Sequence, residues 1–156
     1  MPPAASSVLN WHFAPFAQLS ARSLYELLQL RSAVFVVEQA CIFQDMDGLD
    51  LGAMHLLGTQ GGKLLACARC LPAGLAYPEA SIGRVATHPN VRGGGAGHAL
   101  VAQALAHMQA LWGAQSVRIG AQAQLQGFYA QHGFVASGQT YVEDGIAHIQ
   151  MLRSVH

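Results

Sequence analysis

Arg92 is followed by Gly93-Gly94-Gly95-Ala96-Gly97, and then by an apolar pattern of helical period in which Leu100, Val101, Ala104, Leu105, Met108 and Leu111 share one face. Four glycines in five residues let a backbone run close to a ligand, because no Cβ stands in the way. The helix expected over Gly95 to Trp112 turns its unpaired N–H groups and its positive dipole end back onto that loop. Loop and helix start together form a seat for an anion, most naturally a phosphate or pyrophosphate, and Arg92 adds a fixed charge at its mouth. A strand-like run, Ala80 to Thr87, precedes the loop, and a short apolar strand, Ser116 to Gly120, follows the helix. A strand–helix–strand crossover of this kind requires a parallel pair.

The rest of the chain supplies the other elements. Leu9 to Phe13 reads as a first strand, and Ser20 to about Phe35 as a helix. Ser23 and Glu26 have the capping-box spacing at its start, and Phe35 to Gln39 leaves the helix. Ala53 to Thr59 and Lys63 to Leu71 are strands joined at Gly61-Gly62, a hairpin signal. Leu125 to His132 is a helix stopped by Gly133, and Phe134 to Ser137 and Ile146 to Leu152 are closing strands. The order β-α-β-β-β-α-β-α-β-β predicts a single α/β (α+β) domain over 9–156. Its sheet is mixed and mainly antiparallel, flanked by helices, with one parallel crossover. Residues 1–8 read as a disordered lead-in.

Composition excludes several classes. Formal net charge is zero, with no basic stripe, which argues against a nucleic-acid partner. No apolar run approaches 18 residues, and Met1 to Ser7 lacks the basic-then-apolar layout of a secretory leader, so neither a membrane span nor export is expected. An odd cysteine count fits a reducing, cytoplasmic setting. Cys67 and Cys70, three apart in a strand, point to opposite faces and read as plain buried thiols. The eight histidines show no metal-ligand spacing, so no metal is expected, and His88, His98 and His107 read as solvated. Asp45, Asp47 and Asp50 form an acidic turn, which is not an EF-hand because its glycine comes fourth, and Arg84 is expected to brace it. Charged residues at 10% against 52% hydrophobic leave a homodimer open as a way of covering surface.

Two common phosphate loops fail on spacing. A nucleotide P-loop ends in Gly-Lys-Ser/Thr, and here Gly97 precedes His98-Ala99. A dinucleotide fingerprint fails because its sixth position is His98 or Leu100. The stretch Val85-Ala86-Thr87-His88-Pro89-Asn90-Val91-Arg92, with Gly95 and Gly97, closely resembles the acyl-CoA loop of the GNAT acetyltransferases. Phe128-Tyr129-Ala130-Gln131-His132-Gly133-Phe134 resembles that family's Tyr-x-x-x-Gly-Phe signature. Leu30 to Gln39, Asp45 to Asp50, Gly83-Arg84-Val85, Gly120 to Ala123 and Glu143 to Ile149 look like its ElaA-type branch. The resemblance covers roughly residues 9 to 153.

The resemblance implies transfer of an acetyl group from acetyl-CoA, as co-substrate, to a small-molecule or peptide amine. It implies that the amides of Arg92, Gly93, Gly94, Gly95, Ala96 and Gly97 hold pyrophosphate, and that Val85, Ala86 and Thr87 face the pantetheine arm. Tyr129 falls where relatives keep the general acid. Two positions depart from the pattern: Gln122 replaces an asparagine and Leu125 an alanine. A third strand that often carries a glutamate base has Ile82-Gly83 instead, so a base must come from elsewhere. Glu38, Asp45, Asp47 and His148 are the candidates, with Glu38 first as an acceptor-site residue. The missing strand glutamate also keeps a non-catalytic acyl-CoA-binding or sensing module as the rival reading. Tyr129 and His148 have plain alternatives as packed core and half-buried residues, and Glu38 as a helix-end partner of Arg31 or Arg69.

Overall fold

The computed structural model describes residues 8–155; most of the expected lead-in lies outside the described residues. Strands β1 (Asn10–Pro15), β2 (Met54–Gln60), β3 (Lys63–Leu71), β4 (Ala80–Thr87), β5 (Val117–Gln122), β6 (Val135–Ala136), β7 (Tyr141–Glu143) and β8 (Ile146–Arg153) form one sheet. Its spatial order is β1-β2-β3-β4-β5-β8-β6, with β7 also on β8. The pairs are antiparallel except β4 with β5. The mixed, mainly antiparallel sheet with one crossover is thus as the sequence predicts.

Helices α1 (Ala21–Arg31), α2 (Ala96–Trp112) and α3 (Gln126–Ala130) cover the sheet. Leu27, Leu30 and Val34 pack with Leu57, Cys67 and Ala86 on one face. Leu100, Val101, Ala104 and Met108 of α2 pack on the other with Cys70, Ile82 and Ile119, joined by Tyr129 and Phe134. Each fully buried Leu, Val or Met there contributes about 2 kcal/mol. Cys67 and Cys70 therefore serve different layers, and burial pushes both thiols up to about 12.

Several local expectations are corrected. The α1 cap is Ser20, whose hydroxyl accepts from the Ser23 N–H at 3.0 Å, so the predicted box at Ser23 is displaced by one turn. The chain does not leave the helix at Phe35. It continues from Ser32 to Glu38 with wider i→i+5 bonds, Gln39 N–H to Val34 O and Cys41 N–H to Val36 O. Helix α3 is shorter than expected: Gly133, at φ +88°, ends a turn in which Phe134 N–H reaches back to Tyr129 O. Strand β7 is a three-residue strand that the sequence pattern does not announce. Leu111 is exposed on α2. His98 and His107 are not simply solvated. His107 stacks on Phe13, and His98 stacks on Phe128 while its Nδ1 lies 2.9 Å from His132 Nε2.

Candidate active site

Strands β4 and β5 pair only at Ala80–Val117 and Ser81–Arg118, then part. Arg118 pins the closed end, donating to Glu79 at 3.0 and 3.2 Å and to Gln150 and Ser137. Past Ser81, the edge of β4 that faces β5 has no neighbouring strand. The split opens into a cleft of about 290 Å³ whose walls include Ile82 to Val85, Ile119 to Gln122 and Tyr129.

A bulge shapes the β4 wall. Gly83 pairs with Arg69 and Ala86 with Cys67, so Arg84 and Val85 together oppose Ala68. Arg84 sits at φ +49°, a left-handed conformation that side chains rarely adopt. It is held there by the acidic loop: its Nε donates to Asp45 Oδ1 at 2.7 Å and its Nη2 to Asp45 O at 2.9 Å. Its guanidinium also lies over Phe43. Arg84 therefore braces the turn, and the turn in return fixes the bulge beside the cleft.

The same turn is saturated with cations. Asp45 accepts from Arg31 at 2.8 Å, Asp50 from Arg31 at 2.7 and 3.1 Å, and Asp47 from Arg69 at 2.8 and 2.9 Å. Burial alone would raise the Asp47 carboxyl, but bonds from Arg69 and the Leu49 N–H and the nearby guanidinium charges hold it at about 2. Of the proposed acceptor-site carboxylates, Asp47 lines the cleft, whereas Asp45 is buried behind the wall.

Glu38 lies away from the cleft as well. The widened turn after α1 brings it to Arg92, whose Nη1 and Nη2 donate to its two oxygens, while Nε and Nη2 of Arg92 also reach Thr87 O. The hydrogen bond from Arg92 lowers the Glu38 carboxyl. This carboxylate is therefore held by Arg92, next to the glycine loop.

In the loop itself, Gly93 and Gly95 take φ of +84° and +85°, and Gly95 starts α2 with no side-chain cap and no acidic residue in the first turn. A Cβ on Gly94 would meet nothing within 4 Å, whereas one on Gly97 would touch Phe128 at 3.4 Å. Arg92, Gly94, Gly95 and Ala96 border a second hollow of about 530 Å³, shared with Trp11 and Gln60. The uncapped N–H groups and the open space over Gly94 suit an anionic ligand.

In the cleft, Tyr129 is buried between Phe128 and Phe134, and burial pushes its phenol up to about 12. Gln122 lines the cleft and accepts from Gln124 at 3.2 Å. His148 lines it too, its Nδ1 2.7 Å from Ile146 O. Sequence reasoning missed Tyr77 and Glu143, which also line the cleft, and Tyr141, whose ring stacks on His148. It also missed why Gly120 is glycine: a Cβ there would sit 2.7 Å from the Tyr141 hydroxyl and 3.3 Å from that of Tyr77. A glycine inside an otherwise apolar strand was the available signal.

A sheet that parts at its parallel pair, next to an uncapped helix led by glycines, is the architecture of acyl-CoA N-acyltransferases. The chain belongs to the GNAT acetyltransferase family, the model of the acetyltransferase (GNAT) domain matching residues 32–155. Protein ElaA of Escherichia coli K12 is 42% identical over 150 residues, 95% of this chain and 98% of that protein. A UPF0039 protein of Synechocystis is 41% identical over 145 residues, 92% of this chain and 94% of its own. Among solved structures, an acyl-CoA N-acyltransferase from Pseudomonas aeruginosa superposes with a TM-score of 0.89 at 44% identity, covering 94% of this chain and 99% of that one. The crystal structure of E. coli ElaA gives 0.88 at 41% identity, covering 94% and 100%.

Proposed function

We propose that this acyltransferase moves an acetyl group from acetyl-CoA to a primary amine by direct attack while both substrates are bound. The observation that carries the reading is the split between β4 and β5, with the Arg84–Val85 bulge on one wall and Tyr129 at its base. The pantetheine arm fills the missing strand position beside β4, bonding to the free backbone edge along Val85, Ala86 and Thr87. Pyrophosphate accepts from the amides of Arg92 to Gly97, where the uncapped start of α2 adds its dipole. Glu38 acts as a positioning residue that holds Arg92 at this mouth.

The bulge sets Arg84 and Val85 together against one residue of β3, and a backbone N–H of that pair left outside the ladder donates to the thioester oxygen. A preorganised donor at that oxygen lowers the barrier by about 3 kcal/mol, because negative charge collects there as the amine adds. The amine nitrogen forms its bond to the carbonyl carbon, the C–S bond breaks, and the departing thiolate takes the Tyr129 proton. A phenol raised to about 12 stays protonated at neutral pH and is present as a donor.

Tyr129→Phe tests the acid together with the whole reading. Turnover, followed as free thiol released in the presence of amines, is expected to fall by about 10²-fold or more. The dissociation constant for acetyl-CoA, measured by titration calorimetry, is expected to stay within about twofold, since the phenol contributes little to ground-state binding. Calorimetry in which the wild-type chain takes up no acetyl-CoA would sink the proposal. Binding without thiol release for any amine would turn it into the sensing-module reading.

A further inference from the structure

We infer that His148 is the base that takes the acceptor's proton, and that Glu143 beside it selects an acceptor carrying a second positive charge; the inference rests on the acetyl-transfer reading above. The hairpin of β7 and β8 turns through Asp144-Gly145, both at positive φ, and hangs His148 over the cleft. Opposite it across the ladders stand Tyr141 on β7 and Gln122 on β5. A carbonyl can only accept, so the 2.7 Å contact with Ile146 O fixes the ring hydrogen on Nδ1. That leaves the neutral ring with its lone pair on Nε2. The nearest carboxylate oxygen, Glu143 Oε2, is 3.8 Å away, too far to hold that nitrogen in a hydrogen bond. The stacked Tyr141 ring, 5.7 Å between centroids, sets the orientation.

The other candidates for this task are occupied. Glu38 is bound by Arg92, Asp45 by Arg31 and Arg84, and Asp47 by Arg69. The same ion pairs decide what kind of acceptor fits. Arg69 and Arg84 are the guanidinium groups of the cleft wall, and both already face aspartates, so neither is free for a substrate carboxylate. Glu143 is mostly exposed and has no guanidinium or ammonium partner among the described residues. The groups that set the field at His148 are Tyr141, Glu143 and Asp144 on its own hairpin. Cys41 donates its thiol hydrogen to Asp144 O at 2.9 Å, and Tyr77, Tyr129 and the paired Asp47, Arg69 and Arg84 also line the cleft. The unpaired charge at the acceptor end is thus negative. In the step itself the reacting nitrogen enters as the neutral amine, and one of its N–H protons passes to His148 Nε2 as the nitrogen bonds to the acetyl carbon. The C–S bond breaks and the thiolate sulfur receives the Tyr129 proton. Product amide, free thiol and an imidazolium–phenolate pair result, and water returns the protons between turnovers.

A pair of probes of equal length tests this: 1,5-diaminopentane, and 5-aminopentanoate, in which a carboxylate replaces the second ammonium. For the wild-type chain, kcat/KM for the diamine is expected to exceed that for the amino acid by about tenfold or more, and Glu143→Gln is expected to bring the two within about threefold. His148→Gln keeps size and hydrogen bonding but not basicity. It is expected to lower kcat by about 10²-fold, with KM for the amine, the acetyl-CoA dissociation constant and melting temperature unchanged. Turnover retained in His148→Gln would overturn the base. Equal or better use of 5-aminopentanoate, or thiol release with neither probe, would overturn the selection. Loss of acetyl-CoA binding in the wild-type chain would instead strike the underlying reading, so the two failures are distinguishable.

Discussion

Gly120 occupies the middle of β5, where any side chain would point into two phenol hydroxyls. The nearer, from Tyr141, would be 2.7 Å from an added Cβ, a distance that forces movement. Both clashing atoms are the ends of rotatable side chains, so Gly120→Ala is expected to shift Tyr77 and Tyr141 and leave the sheet intact. The measurable outcome is a rise of about threefold or more in KM for the amine, with acetyl-CoA affinity and melting temperature close to wild type, since displaced acceptor contacts cost uniform binding. An unchanged amine KM would mean that the two phenols do not border the acceptor. At this scale much of the site was legible. Tyr129, Gln122 and His148 line the cleft, and the glycine loop follows directly from the strand that forms one wall. The pairing of Glu38 with Arg92 was not legible, because it depends on how many residues a turn holds, which no spacing in the sequence reveals. Tyr77 and Tyr141 were missed because their meeting over Gly120 joins three separate segments of the chain, across a fold that only the backbone establishes.

Elements explain why the glycines are not equivalent. Gly93 and Gly95 are fixed by backbone geometry, Gly97 by Phe128 on α3, and Gly94 by no contact within the chain. Gly95→Ala is expected to cost about 1–2 kcal/mol of stability, because an L side chain strains a left-handed residue. Gly94→Ala, at ordinary φ and facing open space, is expected to leave the melting temperature unchanged and weaken acetyl-CoA by about tenfold, through a methyl placed where the diphosphate approaches. Melting curves and calorimetry on the two variants separate backbone strain from ligand clearance. If Gly94→Ala binds as well as wild type, the diphosphate does not lie over that residue. Long periodic elements were readable from their pattern, α2 to within a residue of its start. Two others were not. The widened turn after α1 differs from a helix end by its hydrogen-bond partners alone, and β7 exists because β8 offers an edge to it. Pairing with a distant strand leaves little trace in three residues.

On the scale of the whole molecule, the acidic loop is a lattice of three aspartates and three arginines that ties α1, β3 and the β4 bulge together. Two of its carboxylates are more acidic folded than unfolded: Asp47 lies at about 2 and Asp50 is also lowered, against an ordinary 3.8. An unfolded chain therefore binds protons that the folded one refuses, so this contribution is complete above pH 3.8 and is lost as pH falls toward 2. Two histidines act in the same direction at milder pH. Burial lowers His55, whose Nε2 lies 3.0 Å from Asp50 O, and lowers His132, so stability tied to their neutral forms begins to fall below pH 6.5. The expected profile of unfolding free energy against pH has two parts, a shallow decline below 6.5 and a steep one between 3.8 and 2. Chemical denaturation at a series of pH values would trace it. Asp47→Asn removes the carboxylate held at about 2 and is expected to flatten the steep part while lowering stability at neutral pH. The exposed pairs Arg92–Glu38 and Arg22–Glu26 are screened by salt, whereas Arg31, Arg69, Asp45 and Asp50 of the lattice are buried and screened less. The steep part should therefore persist in 1 M salt, at about the same pH. A curve that stays flat down to pH 3, or a steep part that salt erases, would show that the lattice does not hold the acidic loop, and with it the strained Arg84, in place.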